Sequence, residues 1–192
     1  MSEFDRKKWN KKYSEKPALL EKRPPSPIVA QYFQKAEGRK ALDLACGNGR
    51  NTLFLSENGF HVDAVDISSL ALENLQERGK DLNISLYELD LDHFIPKENT
   101  YDFALMTNYL DRALILRTAK ALKTKALFII ETYMEHPQNA KKDSNPDFLL
   151  QKEELKTLFD HNYTILAYQE FWNEGHEIYK MRKQAIAVQK IK

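Results

Sequence analysis

Residues 40–51 read KALDLACGNGRN, and this stretch decides the fold. Its mostly apolar first half predicts a short buried strand, and the two glycines and the apolar run that follow predict a turn and the start of a helix. Gly47 and Gly49 allow the backbone to turn sharply and to approach a ligand closely. The turn therefore directs free N–H groups and the positive end of a helix dipole at whatever lies above the strand.

One acid, Asp43, interrupts the apolar strand. A buried carboxylate is costly unless it meets a partner, which argues against a turn that binds nothing. A dinucleotide-binding fingerprint requires a third glycine, but Thr52 stands at that position. A ligand with an ammonium group explains the acid better: the carboxylate accepts from an α-amino group, while the loop N–H groups face the carboxylate of the same amino acid.

The composition limits the class of protein. A chain of 192 residues fits one domain with its own core, and 42% hydrophobic with 30% charged residues is typical of soluble globular proteins. The net charge of +1 gives no overall field that would favour nucleic acid or a membrane. Cys46 is the only cysteine, so no internal disulfide is expected. The charged first 25 residues and the lack of a long apolar run predict a cytoplasmic protein without a signal peptide.

The run from Leu42 to Gly49 resembles motif I of class I S-adenosylmethionine-dependent methyltransferases, and its continuation to Leu55 resembles the tellurite-resistance and thiopurine-type branch. The resemblance implies a methyltransferase with a Rossmann-like, doubly wound α/β sheet of seven strands, mostly parallel with one antiparallel strand. Five strand–helix units and a final hairpin along the chain agree with it. It implies a single methyltransferase domain over 1–192, with an N-terminal helical cap at 1–36 and a Rossmann-like core at 37–192.

The resemblance also implies S-adenosylmethionine as cofactor and S-adenosylhomocysteine as product. Asp66 ends the second predicted strand, at nearly the spacing of a ribose-binding acid in nucleotide folds, although it could instead cap the next helix. Trp9 and Tyr13 match a Trp-Asn-x-x-Tyr stretch that helps close the cofactor site in this branch, although simple packing would also use them. The full set of expected cofactor-binding residues is Trp9, Tyr13, Asp43, Ala45, Cys46, Gly47, Asn48, Gly49, Asn51, Asp66, Ile67, Asp90, Leu91 and Thr107.

No residue is identified as catalytic with certainty. Tyr109, Arg112 and Arg23 are candidates for the mouth of the substrate site, with solvated side chains as the alternative for both arginines. The polar segment 134–146 follows a strand end and could form a lid. No metal site is expected, because the alternating acids at 88, 90 and 92 are weak support and neither His136 nor His176 has ligand spacing.

A small molecule is the expected methyl acceptor, with a thiol or a chalcogen oxyanion as leading candidates. The turn after the fourth strand lacks the Pro-Pro-Tyr/Phe sequence of amino-methylating nucleic-acid enzymes, and no cysteine lies outside motif I. The alternatives are a cofactor-binding regulatory or interaction module, an RNA methyltransferase and a nicotinamide oxidoreductase. We expect a monomer or homodimer that binds neither membrane nor nucleic acid.

The sequence also predicts the bounds of several helices and strands and the orientation of one acid. We expect a helix from Pro27 to about Ala36 capped by Ser26, and a helix over about 152–159. The final hairpin is expected to pair strands 162–172 and 177–189. Asp63, in the middle of the second strand, is expected to face outward.

Overall fold

The computed structural model describes residues 3–175 and 177–192, and a seven-stranded sheet lies at the centre of this part of the chain. Its order is β3-β2-β1-β4-β5-β7-β6, and β7 alone runs antiparallel to its neighbours. The predicted sheet is thereby confirmed. The strands are β1 (Lys40–Leu44), β2 (His61–Asp66), β3 (Ile84–Glu88), β4 (Phe103–Thr107), β5 (Leu127–Tyr133), β6 (Tyr163–Trp172) and β7 (Arg182–Lys190).

Helices cover both faces of the sheet, because alternate strand residues point to opposite sides. Leu42 and Met106 pack on the side of Leu114 and Ile115, whereas Ala41 belongs to the cluster on the other side. The α-helices are α1 (Glu3–Glu15), α2 (Pro27–Tyr32), α3 (Arg50–Glu57), α4 (Ser69–Arg78), α5 (Arg112–Ala121) and α6 (Glu154–Thr157). None of the helices within 3–175 and 177–192 combines the length and apolar character needed to cross a bilayer.

The direction of chain winding reverses between β1 and β4, which lie side by side in the centre of the sheet. In open α/β sheets such a switch point opens a crevice outside the carboxyl ends of the strands, where ligands bind. The turn at 45–49 lies at this crevice, with Gly47 at φ +54° and Gly49 at φ +77°. A Cβ atom on Gly49 would lie 2.3 Å from a methyl carbon of Leu75, so this turn requires glycine.

Asp63 was predicted to face outward, and this is wrong. Its side chain is buried, with one oxygen 2.6 Å from the ammonium of Lys40 and the other 2.9 Å from the hydroxyl of Tyr101. The strand β2 is buried on both sides, so an acid in it needs partners from other elements.

Some predicted element ends also differ from the structure. The segment after Pro27 is α-helical only to Tyr32 and ends in a short 3-10 helix, and Ser26 makes no side-chain cap. The helix expected over about 152–159 is the four-residue α6, and β7 begins five residues later than expected, at Arg182. The hydroxyl of Ser26 donates to Glu131 instead, and Glu177 accepts from Tyr133 and Lys183 rather than beginning β7.

Candidate active site

The two carboxylate oxygens of Asp43, on β1, differ in their environment. Its Oδ2 accepts a hydrogen bond from the hydroxyl of Thr52 on α3 at 2.6 Å, whereas its Oδ1 is buried and has no partner among the described residues. Burial raises the pKa of Asp43 to about 7, against the lowering effect of the Thr52 hydrogen bond. An unsatisfied buried carboxylate oxygen is costly, so this position is suited to a cationic group of a ligand.

Asp66, at the end of β2, stands across the glycine turn from Asp43. Its Oδ2 accepts from the backbone N–H of Gly47 at 2.8 Å, and its Oδ1 accepts from the N–H of Ser68 at 2.9 Å. The side chain of Ser68, not that of Asp66, caps α4 by accepting from Ala71. Each carboxylate oxygen can accept a further hydrogen bond, so Asp66 is positioned to receive two hydroxyl groups.

The helix α1 lies across the crevice through the Trp-Asn-x-x-Tyr stretch. Asn10 donates to the hydroxyl of Ser69 at 3.1 Å and accepts from that of Ser68 at 2.7 Å. The hydroxyl of Tyr13 lies at the glycine turn, only 2.9 Å from where a Cβ of Gly47 would be. Burial, with a smaller effect from the negative charge of Asp66, raises the pKa of Tyr13. Asn10 and Tyr13 thus hold this part of α1 against the start of α4 and the glycine turn.

We predict that Asn10→Ala loosens this cover. The change removes the hydrogen bonds to Ser68 and Ser69, and loss of a comparable capping side chain costs about 1 kcal/mol. We expect faster proteolytic cleavage within α1 and a thermal midpoint lower by several degrees. Ser14→Ala, on an exposed position of the same helix, serves as the control and should change neither. Equal cleavage rates for Asn10→Ala and wild type would show that Asn10 does not hold α1.

A cleft borders the second side of the crevice, next to the ends of β2 and β3. It is lined by Glu3, Arg6, Ile67, Glu88, Leu89 and Asp90. Two predicted adenine-side residues, Ile67 and Asp90, thus lie together. Leu91 is fully buried in the core, so only its backbone could serve the ligand.

The end of β4 forms the edge between the glycine turn and β5. Thr107 accepts a hydrogen bond from the Nδ2 of Asn51 at 3.2 Å, which joins two predicted site residues. Asn108 follows with φ +59° and donates its N–H to the carbonyl of Glu131 at 2.7 Å. Non-glycine residues with such a backbone conformation concentrate at functional sites. Tyr109 comes next and is half-buried, and burial raises its pKa.

A buried charge cluster beyond β4 was missed by the sequence reasoning. The Lys183 ammonium is fully buried, 3.1 Å from Glu131 and 2.6 Å from Glu177, which also accepts from the Tyr133 hydroxyl. Glu131 receives the hydroxyl of Ser26 at 2.8 Å, which is why Ser26 does not cap α2. An acid ending the apolar run of β5 was the available signal, as for Asp43. Its partner Lys183 could be found only from the β5–β7 pairing.

The arginines near the crevice form ion pairs or hydrogen bonds with other groups of the protein. Arg50 pairs with Glu174 at 2.9 Å and donates to Ser26. Arg112 pairs with Glu154 at 2.5 Å and donates to the carbonyls of residues 147 and 149. Arg23 donates to the carbonyl of Ala18 and lines a separate cavity beside α3. Neither Arg23 nor Arg112 is placed beside Tyr109 by these contacts.

The histidines and acids form no metal site in the part of the chain that the structure describes: no three His, Cys, Asp or Glu side chains gather there closely enough to hold an ion. His136 packs edge-on against Trp172, with ring centroids 5.1 Å apart. His176 lies outside the described residues.

Comparison with known proteins agrees with this geometry. Residues 41–125 match the family described as "Methyltransferase domain". The match covers the glycine turn, both acids and the end of β4. The fold and this match agree with the resemblance to class I S-adenosylmethionine-dependent methyltransferases that the sequence indicated.

The particular similarity is to TehB of Haemophilus influenzae. The protein described as "Probable S-adenosyl-L-methionine-dependent methyltransferase TehB" is 41% identical over 70 residues, which are 35% of this chain and 24% of that protein. The crystal structure of TehB superposes with a TM-score of 0.76 at 25% identity, covering 86% of this chain and 62% of that chain. This chain thus matches only about a quarter of the curated TehB sequence.

A third similarity concerns the fold alone. A structure described as an S-adenosylmethionine-dependent methyltransferase from Methanosarcina mazei superposes with a TM-score of 0.68 at 19% identity. It covers 88% of this chain and 99% of that one. The seven-stranded arrangement is therefore shared over nearly the whole length of both proteins.

Proposed function

We propose that this protein transfers the methyl group of S-adenosylmethionine to a small-molecule acceptor, with a thiol or a chalcogen oxyanion as the leading classes. The observation that carries the proposal is the buried, unpartnered Oδ1 of Asp43 beside a glycine turn, with Asp66 facing the same turn. An amino-acid tail and a ribose are the two groups that such a pair of acids recognises. S-adenosylmethionine carries both, together with a methyl group activated on a sulfonium.

Each residue of the site has a defined task in this proposal. Asp43 accepts from the α-amino group, the N–H groups of the turn at 45–49 face the carboxylate, and Asp66 accepts from the ribose hydroxyls. Ile67 and the residues around Asp90 hold the adenine in the cleft at β2 and β3. Thr107 lies beside the reacting methyl group. Tyr13 and Trp9 cover the turn and exclude water.

The acceptor lies on the remaining side of the crevice, beyond β4, in this proposal. Holding it in line with the breaking bond can supply about 7–11 kcal/mol of the barrier reduction. A soft nucleophile such as a thiolate requires no strong base at the reacting atom. The structure agrees with this, because the carboxylates near β5 are engaged with Lys183, Ser26 and Tyr133.

The test is release of S-adenosylhomocysteine from methyl-labelled S-adenosylmethionine in the presence of thiols, selenite, tellurite and small carboxylic acids. We expect labelled product with at least one of them, and much less product with Asp66→Asn protein at a cofactor concentration that does not saturate it. Failure to bind S-adenosylhomocysteine would overturn the proposal. Binding without transfer to any acceptor would favour a cofactor-binding module, and transfer only to added RNA would favour an RNA methyltransferase.

A further inference from the structure

A cavity of about 300 Å³ lies between α3 and the chain segment 22–25. The charged side chains that line it are four cations and one acid: Lys22, Arg23, Arg50, Arg78 and Glu57. Arg50 is paired with Glu174 at 2.9 Å. The other three cations form no ion pair with a carboxylate within residues 3–175 and 177–192. The cavity therefore gathers positive charge that the described part of the protein does not neutralise.

The guanidinium of Arg78, the last residue of α4, is only partly satisfied by hydrogen bonds. Its Nη1 makes long bonds of 3.3–3.4 Å to the carbonyls of Leu20 and Asn48 and to the side chain of Asn74. Its Nη2 is buried and has no partner among the described residues. Burial lowers the pKa of Arg78 and outweighs the opposite effect of the negative charge of Glu57. An anion that accepts from the guanidinium would stabilise it in this position.

The cavity and the proposed cofactor crevice lie on different faces of α3. Thr52 turns toward the crevice, where its hydroxyl donates to Asp43 at 2.6 Å. Arg50, Phe54 and Glu57 follow one another at intervals of four and three residues, share another face of the helix and line the cavity. No predicted cofactor-binding residue is among the described side chains that line it. The cavity is therefore a second site and not an extension of the first.

We propose that this cavity binds a small phosphate ester, whose phosphate group is held by Arg78, Arg23 and Lys22. Three unpaired cations and one acid leave two positive charges in excess, which a phosphate dianion neutralises. Guanidinium groups also match the oxygens of a phosphate in geometry. Leu53, Phe54 and the two prolines of the segment 22–25 form the apolar part of the wall and offer a surface to the organic part of the ester. The volume is at the lower end of the range for small-molecule sites, so the ester is small.

Calorimetry with phenyl phosphate at constant ionic strength tests the proposal, with and without saturating S-adenosylhomocysteine. We expect phenyl phosphate to bind under both conditions, and more tightly than inorganic phosphate because its ring contacts the apolar wall. Arg78→Gln should weaken the binding of phenyl phosphate about tenfold through loss of a charged donor. Lys80→Gln removes the same charge at an exposed position two residues further along and is the control that should leave the affinity unchanged.

A variant that strengthens binding tests the site without relying on a loss. Glu57→Gln removes the acid that lines the cavity and should increase the affinity for phenyl phosphate severalfold, which a damaged protein could not do. No binding of phenyl phosphate, an affinity unchanged by Arg78→Gln or by Glu57→Gln, or competition with S-adenosylhomocysteine overturns the inference. Because phenyl phosphate is also titrated without the cofactor product, a failure to bind S-adenosylhomocysteine would overturn the proposed function alone.

Discussion

We expect Asp66→Asn to lower the affinity for S-adenosylhomocysteine about 100-fold, because hydrogen bonds to a charged acceptor contribute about 1.5–3 kcal/mol each and the ribose offers two donors. The substitution also turns an amide N–H₂ toward the N–H of Gly47 or of Ser68, both of which now donate to Asp66. Two donors would then face each other at the glycine turn. Isothermal titration calorimetry at one pH and one ionic strength measures the change.

The control for this experiment is Asp81→Asn. Asp81 is an exposed acid just after α4, so its substitution removes the same charge far from the crevice. We expect its affinity to equal that of wild type. An affinity of Asp66→Asn within threefold of wild type would show that Asp66 serves only the local structure of the turn.

We expect Asp43→Asn to have two opposite effects: it should stabilise the ligand-free protein at pH 8, and it should weaken S-adenosylhomocysteine binding about 100-fold through loss of the proposed charged partner of the α-amino group. The stability effect follows from the raised pKa of about 7. The folded state binds the proton more tightly than the unfolded state, in which an aspartate has a pKa near 3.9. Asp43 therefore costs stability as the pH rises from about 4 to about 7, at up to about 1.4 kcal/mol per pH unit.

Urea unfolding of wild type and Asp43→Asn at several pH values measures this cost. The amide oxygen of asparagine can still accept from Thr52, so packing is preserved. We expect the two proteins to be most alike near pH 4 and the variant to be more stable by a few kcal/mol at pH 8. The difference in the free energy of unfolding between Asp81→Asn and wild type should not show this dependence on pH. A variant less stable than wild type at pH 8 would mean that the carboxylate is already compensated without a ligand.

The core of the fold could be predicted from the sequence because each of its elements is indicated by a short stretch of the chain. The apolar strands, the glycine turn at Gly47 and Gly49 and the alternation with helices all arise from residues close together in the chain. The same holds for Asp43: an acid inside an apolar strand indicates a special environment before any contact is known. The structure agrees, since one of its oxygens is buried and has no partner among the residues that the structure describes.

Contacts between residues far apart in the chain could not be predicted from such short stretches. Asp63 stands in a strand like Asp43, yet it is satisfied by Lys40 and Tyr101, which only the packing of neighbouring elements brings to it. Glu131 likewise meets Lys183 across the β5–β7 pair and Ser26 from a loop 105 residues away in the chain. An isolated acid in a strand predicts a partner but does not tell whether that partner is protein or ligand.

The roles of Asp43 and Asp66 can be separated by comparing S-adenosylhomocysteine with 5′-methylthioadenosine, which has the same nucleoside but no amino-acid tail. Calorimetry with wild type, Asp43→Asn and Asp66→Asn gives six affinities. We expect Asp66→Asn to weaken the binding of both ligands to a similar extent, and Asp43→Asn to weaken the binding of S-adenosylhomocysteine alone. Equal effects of Asp43→Asn on both ligands, or no effect on either, would contradict the assignment of the buried carboxylate to the ammonium group.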